Sequence, residues 1–271
     1  YFKFINLLKF LGINNPFSWA FFIRLFSVIL GFISIIYLFF VTKKDFFNKD
    51  NHFNYLLFFT FWLYPFLHSR TSSENLGLSL FIVALSFFYT QFKFKETKFN
   101  YLLSFIFSFI LGLALVVKFT LIFSVIPFFL WIIFFRFHFI KIFCIVLGVI
   151  IALAIGIYID SLYWILSVKG DNDWGFFTNT YWQFYHININ FGRFDAFGVQ
   201  PWWYYIPAIL VQLAPLLSLF FVFSLLLFWI KKPQSIFSWI TFFTLIIFSS
   251  FGHKEIRYIF PIYIFAPLFI S

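Results

Sequence analysis

The sequence predicts an all-α, polytopic transmembrane helix bundle with a loop layer on its non-cytoplasmic side, and three observations carry that expectation. Apolar residues make up 63% of the chain and charged residues 10%, whereas a soluble domain is about half apolar and a quarter charged. The apolar residues run in stretches of about 17 or more, the length that a hydrocarbon layer requires. The charged residues gather between those stretches, and their balance alternates from one connection to the next. In lipid every backbone N–H and C=O must be satisfied within its own segment, so the runs are read as helices. The dyad alternation of barrel strands is absent.

The first element, residues 1–13, sets Lys3 and Lys9 among apolar residues at a spacing of three to four. That pattern predicts an amphipathic helix lying in the membrane interface. Spans are then expected at 21–42, 54–67, 75–92, 100–117, 119–135, 142–159, 202–230 and 234–250, with a further one starting near 259. The 54–67 run is short for a full crossing. Lys118 divides a 36-residue apolar stretch, which puts a tight turn there. Residues 160–201 form the one long connection. It is rich in aromatics and Asn, and is expected to pack on the membrane surface. No domain break or internal repeat interrupts the pattern, so 1–271 reads as a single transmembrane domain. Residue 1 is Tyr, the chain has no Met, and the last apolar run reaches Ser271 at about half a span's length. A preceding span with its outer loop, and a C-terminal continuation, are therefore expected.

The connections divide into two sets. Lys43–Lys49 with Asp50, Lys93–Lys98, Arg136–Lys141 and Lys231–Lys232 hold ten Lys/Arg and three acids, net +7. Residues 1–20, 68–74, Lys118, 160–201 and 251–258 hold eight Lys/Arg and six acids, net +2. The positive-inside rule puts the first set in the cytoplasm. Every polar-rich segment then falls on the other side. A net charge of +10 could suit nucleic acid, but on a membrane chain positive charge sets topology, and no nucleic-acid partner is expected. The single Cys144 excludes an intramolecular disulfide and a Cys-based metal site.

Four polar constellations stand on the outer side. The first runs from His68 to Asn75 and includes Arg70 and Glu74, four residues apart; they either pair at a site or form a plain polar hairpin with a Ser/Glu helix start. The second is Lys118, with no acid near it in sequence; it either lines a site or snorkels to the interface. The third begins at Asp160, which is expected to follow a span directly. It continues through Asp171, Asp173, His186, Asn188, Asn190 and Asp195 to Pro201, Trp202, Trp203, Tyr204 and Tyr205. Its carboxylates could bind a metal, act as bases or sit in water, and its aromatics also read as an interfacial belt. The fourth is His253-Lys254-Glu255-Ile256-Arg257-Tyr258 followed by Pro261. Lys and Arg at headgroup depth suit a phosphate, because they neutralise the charge that grows on a departing phosphate oxygen. The bland alternative is a loop with extra charge. HEXXH, P-loop, G-x-S-x-G and Rossmann glycine patterns are all missing. The main rival to an enzyme is a polytopic transporter or lipid flippase, which should carry charges deep within its spans. Arg24 is the one charge inside a span drawn here.

The fourth constellation resembles a family signature. His253-Lys254-Glu255-x-Arg257-Tyr258, leading to Pro261, is similar to the H-K-E-x-R-F/Y…P motif of glycosyltransferase family 22, in the GT-C superfamily. That family holds the mannosyltransferases of N-glycan and GPI-anchor assembly, with bacterial relatives. Ser69-Arg70-Thr71 with Glu74-Asn75 resembles its Arg-Thr segment. Leu111-Gly112-Leu113-Ala114 with Lys118 resembles its "LGLA…R" segment, with Lys in place of Arg. Asp160, Asn188, Phe197-Gly198, Pro201-Trp202 and Tyr205 follow its "D…N…FG…PW..Y" order. The resemblance covers nearly the whole chain.

It implies an inverting transfer of a sugar, usually mannose, from a polyprenyl or dolichyl phosphate to an acceptor hydroxyl on a glycan or glycolipid. The membrane would be the bacterial inner membrane or that of the endoplasmic reticulum. Lys254 and Arg257 would bind the donor phosphate with His253 assisting, and Arg70 and Lys118 would line the same site. Glu255 would orient Lys254 or Arg257, while Asn188, Pro201 and Trp202 would shape the sugar or acceptor pocket. The family's favoured base is an acidic residue in the first outer loop, upstream of Tyr1, which leaves Asp160 and Glu74 as weaker internal candidates. No metal or cofactor is expected, because Lys and Arg can hold the phosphate.

Overall fold

The structure, a computed structural model, describes residues 2–47, 58, 61, 64, 72–92, 97–167, 198–212 and 215–270. Among these residues every regular element is a helix. Helix α1 (Phe2–Phe10) closes with a tight glycine turn: Ile13 N–H donates to the Leu8 carbonyl at 2.9 Å, Gly12 N–H to Lys9 at 3.0 Å, and Gly12 takes φ 81°. Leu8 is buried, while Leu7, Phe10 and Leu11 are exposed, so this short helix keeps apolar side chains outward. Helix α2 (Pro16–Phe46) starts five residues earlier than the span read from hydropathy. Asn15 caps it through its side chain, and Pro16 at the first helical position is preorganised for the turn.

Helix α3 (Ser73–Gln91) is capped by Ser72, whose hydroxyl accepts from Asn75 N–H at 3.3 Å. It is the most enclosed span, lying between α2 and α4 (Lys98–Val117). Two of its hydroxyls bond back into the helix: Ser79 Oγ donates to the Asn75 carbonyl and Thr90 Oγ1 to that of Ser86. Lys118 then leaves the helical region (φ −145°, ψ 95°), and a single 3-10 turn, Phe119–Leu121, leads into α5 (Ile122–Phe135). The tight turn expected at Lys118 is therefore present. Helix α6 (Phe139–Ser167) makes the most extensive packing in the structure, against α4.

Two boundaries are refined. Asp160 closes the apolar stretch Phe139–Asp160, while helix α6 itself continues to Ser167. The Ser161–Val168 stretch holds no Gly or Pro, and the first breaker is Gly170, so nothing stops the helix at the hydropathy boundary. The expected 202–230 span holds two helices among the described residues, α7 (Tyr205–Gln212) and α8 (Pro215–Lys231). The remaining elements are α9 (Ile236–Ser250), a 3-10 turn (Ile256–Ile259), α10 (Phe260–Tyr263) and α11 (Ala266–Ile270). Most of the expected 54–67 span lies outside the described residues. Within it, Tyr64 is buried and donates its hydroxyl to the Ile264 carbonyl at 2.9 Å.

Four described helical stretches are long and apolar enough to cross a membrane: Pro16–Phe46, Ser73–Gln91, Phe99–Val117 and Phe139–Asp160. Shorter apolar helical stretches are Phe119–Phe135, Leu217–Lys231 and Ile236–Ser250. These helices give the bundle two chemically distinct ends. At one end Asp45, Tyr89, Arg136, Lys231 and Lys232 line a common cavity. At the other, Glu74, Lys118 and the 253–257 loop meet. Helix α3 runs about 28 Å between them at 1.5 Å per residue. Asp45, Arg136 and Lys231–Lys232, from connections read as cytoplasmic, therefore lie at the end opposite Glu74, Lys118 and residues 253–257, from connections read as outer.

Candidate functional site

Glu74 sits in the first turn of α3, where a carboxylate complements the helix dipole. Its Oε1 accepts from Lys118 Nζ at 2.6 Å, and Arg257 Nη1 lies 3.5 Å from the same oxygen. Lys118 had no acid near it in sequence; its partner comes from 44 residues upstream. The close approach requires Gly77. A Cβ there would lie 2.9 Å from Lys118 Cβ and 3.2 Å from the Ala114 carbonyl oxygen.

Arg257 belongs to a second carboxylate as well. Its Nη2 donates to Glu255 Oε1 at 2.9 Å, and its Nε also meets Glu255 Oε2. His253 Nε2 lies 3.0 Å from Glu255 Oε1. The result is a chain of alternating polarity, Lys118–Glu74–Arg257–Glu255–His253, drawn from three separate segments. Burial alone would raise the Glu255 pKa, but hydrogen bonds from Arg257 and His253 hold it below the ordinary glutamate value. The same Glu255 contact raises that of Arg257. Burial pushes the Tyr258 phenol up to about 12. The Arg257 side chain is 50% exposed, which leaves it open to a further anion.

Lys254 is placed differently from Arg257. It is only 5% exposed, and its ammonium donates to the Gln200 carbonyl at 2.9 Å and to the Phe251 carbonyl. Burial lowers its pKa. Gln200 N–H in turn donates to the Gly252 carbonyl at 2.9 Å, and His253 Nδ1 lies 3.4 Å from the Gly198 carbonyl. Residues 198–200 are thereby laid along the 252–254 loop. Gly198 takes φ 98°, a conformation that suits glycine.

Next to this junction is an apolar cleft of about 340 Å³, lined by Trp202, Trp203, Tyr205, Ile206, Leu245 and Ile246. Trp202 is strongly exposed, and Pro201 is exposed just before it. Glu74, Lys118, His253, Lys254, Glu255, Arg257, Pro201 and Trp202 thus gather at one end of the bundle. Asp160 lies near the C-terminal end of α6. Arg70 and Asn188, with Asp171, Asp173, His186, Asn190 and Asp195, lie outside the described residues. No group of three or more metal-ligating side chains exists among the described residues. Gln200, as an acceptor for Lys254, and Gly77, as the contact that admits Lys118, were not legible as site residues. The isolated cation at Lys118, which needs a counter-charge supplied from elsewhere, was the available signal.

A family model described as the Alg9-like mannosyltransferase family matches residues 2–271. No curated protein and no solved structure matches the chain.

Proposed function

The chain belongs to the Alg9-like mannosyltransferase family and is a membrane glycosyltransferase, and from that premise we propose that it moves mannose, with inversion, from a polyprenyl or dolichyl phosphate to an acceptor hydroxyl on the non-cytoplasmic face. The observation that carries this reading is the shared position of Arg257, which bridges Glu74 and Glu255 while half its side chain stays exposed.

In the proposed reaction the acceptor oxygen attacks the anomeric carbon from the face opposite the phosphate and gives up its hydroxyl proton to a carboxylate acting as general base. The bond between that carbon and the phosphate oxygen breaks, and a lipid phosphate leaves with the electron pair. A group that neutralises the leaving oxygen speeds this step, because its interaction strengthens as charge develops. Arg257 supplies a planar guanidinium at the correct end of the helices. Glu74 and Glu255 hold it from two sides, so little orientation is lost on binding. Lys118 and His253 flank it within the same polar chain, and Arg70, four residues before Glu74, is a further cation for the same phosphate. Lys254, almost fully buried and bonded to two carbonyl oxygens, acts as a positioning residue that fixes the Gly198–Pro201 stretch against the loop.

The apolar cleft with Trp202 suits the prenyl chain or the sugar face that accompanies the phosphate, and Pro201 and Asn188 would shape the same pocket. Of the two internal base candidates, Glu74 is committed to two cations, which favours its carboxylate as an orienting group over a proton acceptor. Asp160 is the other candidate. The reading places the protein in the endoplasmic reticulum or the bacterial inner membrane, with a glycan or glycolipid as acceptor.

The test uses full-length protein in proteoliposomes with polyprenyl-phosphate mannose. Arg257→Gln should lower turnover by about 100-fold or more, in line with loss of one transition-state donor. Turnover at the wild-type rate would remove Arg257 from the phosphate site.

A further inference from the structure

At the end of the bundle opposite the Glu74 cluster, two cavities share a wall. One, of about 470 Å³, is lined by Arg136, Lys231 and Lys232, by the carboxylate of Asp45, and by Tyr89 and Trp131. The other, of about 480 Å³, is lined by Phe135, Trp229, Trp239, Phe242 and Phe243. Pro233 and Gln234, in the turn between α8 and α9, border both. A cationic groove therefore opens beside an aromatic cleft.

The cations exceed the single carboxylate in the groove. Asp45 Oδ2 accepts from the Tyr89 hydroxyl at 2.6 Å, and Lys232 Nζ donates to the Asp45 carbonyl at 3.4 Å while lying 4.1 Å above the Phe46 ring. Arg136 and Lys231 are exposed and border the same groove. The amino end of α9 also faces it through Ser235 and Ile236, adding the positive end of a helix dipole. A free anion would need only the groove, and an uncharged apolar molecule only the cleft. The two side by side match an amphiphile that carries a phosphate. Basic pockets between helices at a membrane face recognise lipid headgroups in this way, and both volumes lie in the usual range for ligand sites.

We propose that this end of the bundle binds one anionic phospholipid, its phosphodiester against Arg136, Lys231 and Lys232 and an acyl chain in the cleft of Trp229, Trp239 and Phe242. The site is separate from the transfer site and does not depend on the assignment of Arg257.

The experiment titrates full-length protein, in nanodiscs of unlabelled phosphatidylcholine, with phosphatidylglycerol carrying brominated chains, and reads quenching of tryptophan fluorescence. Saturable quenching is expected, at an affinity about 30-fold above that of brominated phosphatidylcholine, for two charges' worth of headgroup attraction. Arg136→Gln with Lys231→Gln should remove that preference. Arg136→Lys with Lys231→Arg should retain it, which separates lost charge from lost fold. Equal quenching by the two lipids would overturn the proposal. So would competition by glycerol phosphate, which has no chains, at an affinity equal to that of the lipid, because the groove would then be a site for a free phosphate anion.

Discussion

Lys118 Nζ stands 2.6 Å from Glu74 Oε1, so the break after α4 is clamped to the first turn of α3 across 44 residues of sequence. Arg257 approaches the same oxygen from the 253–257 loop. One carboxylate oxygen therefore sets the spacing of two cations, and three segments of the chain depend on it.

Glu74→Gln keeps the shape and removes the charge. Both partners are mostly enclosed, with side chains 15% and 21% exposed, so solvent screens the pair less than a surface one. A double-mutant cycle of Glu74→Gln with Lys118→Met should give a coupling of about 1–2 kcal/mol in thermal unfolding, within the range for contacting residues. Transfer by Glu74→Gln should also fall by at least about tenfold, because Arg257 loses one of its two orienting carboxylates. Additive stabilities and full activity would separate the pair from the site.

Gly77→Ala tests the same clamp from the other side. The added methyl would meet Lys118 Cβ at 2.9 Å and Leu121 Cδ1 at 3.1 Å. The Ala114 carbonyl at 3.2 Å leaves little room for the backbone to yield. Overpacking of this kind costs about 1–3 kcal/mol. The expected outcome is a lower melting temperature together with reduced transfer, since Lys118 is the group displaced. A variant of wild-type stability and rate would mean that the α3–α4 contact opens freely.

The packing of α4 on α6 has its own device. Gly112 would meet Ala152 Cβ at 2.5 Å, Gly148 would meet Ser108 Oγ, and Gly156 would meet Val116 Cγ2 at 2.6 Å if each bore a Cβ. On α6 the residues 148, 152 and 156 are small at every fourth position, the spacing that lets two membrane helices approach closely. Gly148→Leu should separate the helices and lower thermal stability in detergent by about 2 kcal/mol or more. Ala152→Gly, which adds no volume, should cost less than about 1 kcal/mol.

What the sequence could convey follows from these contacts. Hydropathy and charge alternation are local quantities. They located the helices and sorted the connections into the two ends at which Lys232 and Lys118 are now found. The turn at Lys118 was legible for the same reason, as a single charge interrupting an apolar run. The partner of Lys118 was not legible, because an ion pair across 44 residues leaves no local trace. The close approach at Gly77 and the small-residue stripe of α6 encode contacts through small or missing side chains, which hydropathy does not register. The enclosure of Lys254 was hidden too: in sequence it is a charge beside Glu255, while in space the carbonyls of Gln200 and Phe251 surround it.

Acid should loosen the 253–257 loop before it unfolds the helices. Burial works to raise the Glu255 pKa, but hydrogen bonds from Arg257 and His253 outweigh it and hold the folded value below the ordinary one. A carboxyl with a depressed folded pKa binds protons more readily when unfolded, so its contribution is complete above the unfolded value, about 4.3. That contribution is lost as the pH falls through the lower folded value. Melting curves of wild type and Glu255→Gln in detergent should therefore differ at pH 7 and converge toward pH 3. Because the same protonation releases Arg257 from one carboxylate, the protection of the Ile256–Ile259 amides, taken relative to the intrinsic exchange rate at each pH, should fall over the same window in the wild type, while Glu255→Gln should be poorly protected throughout. A difference that persisted unchanged at pH 3 would mean that Glu255 stabilises the loop by shape and not by charge.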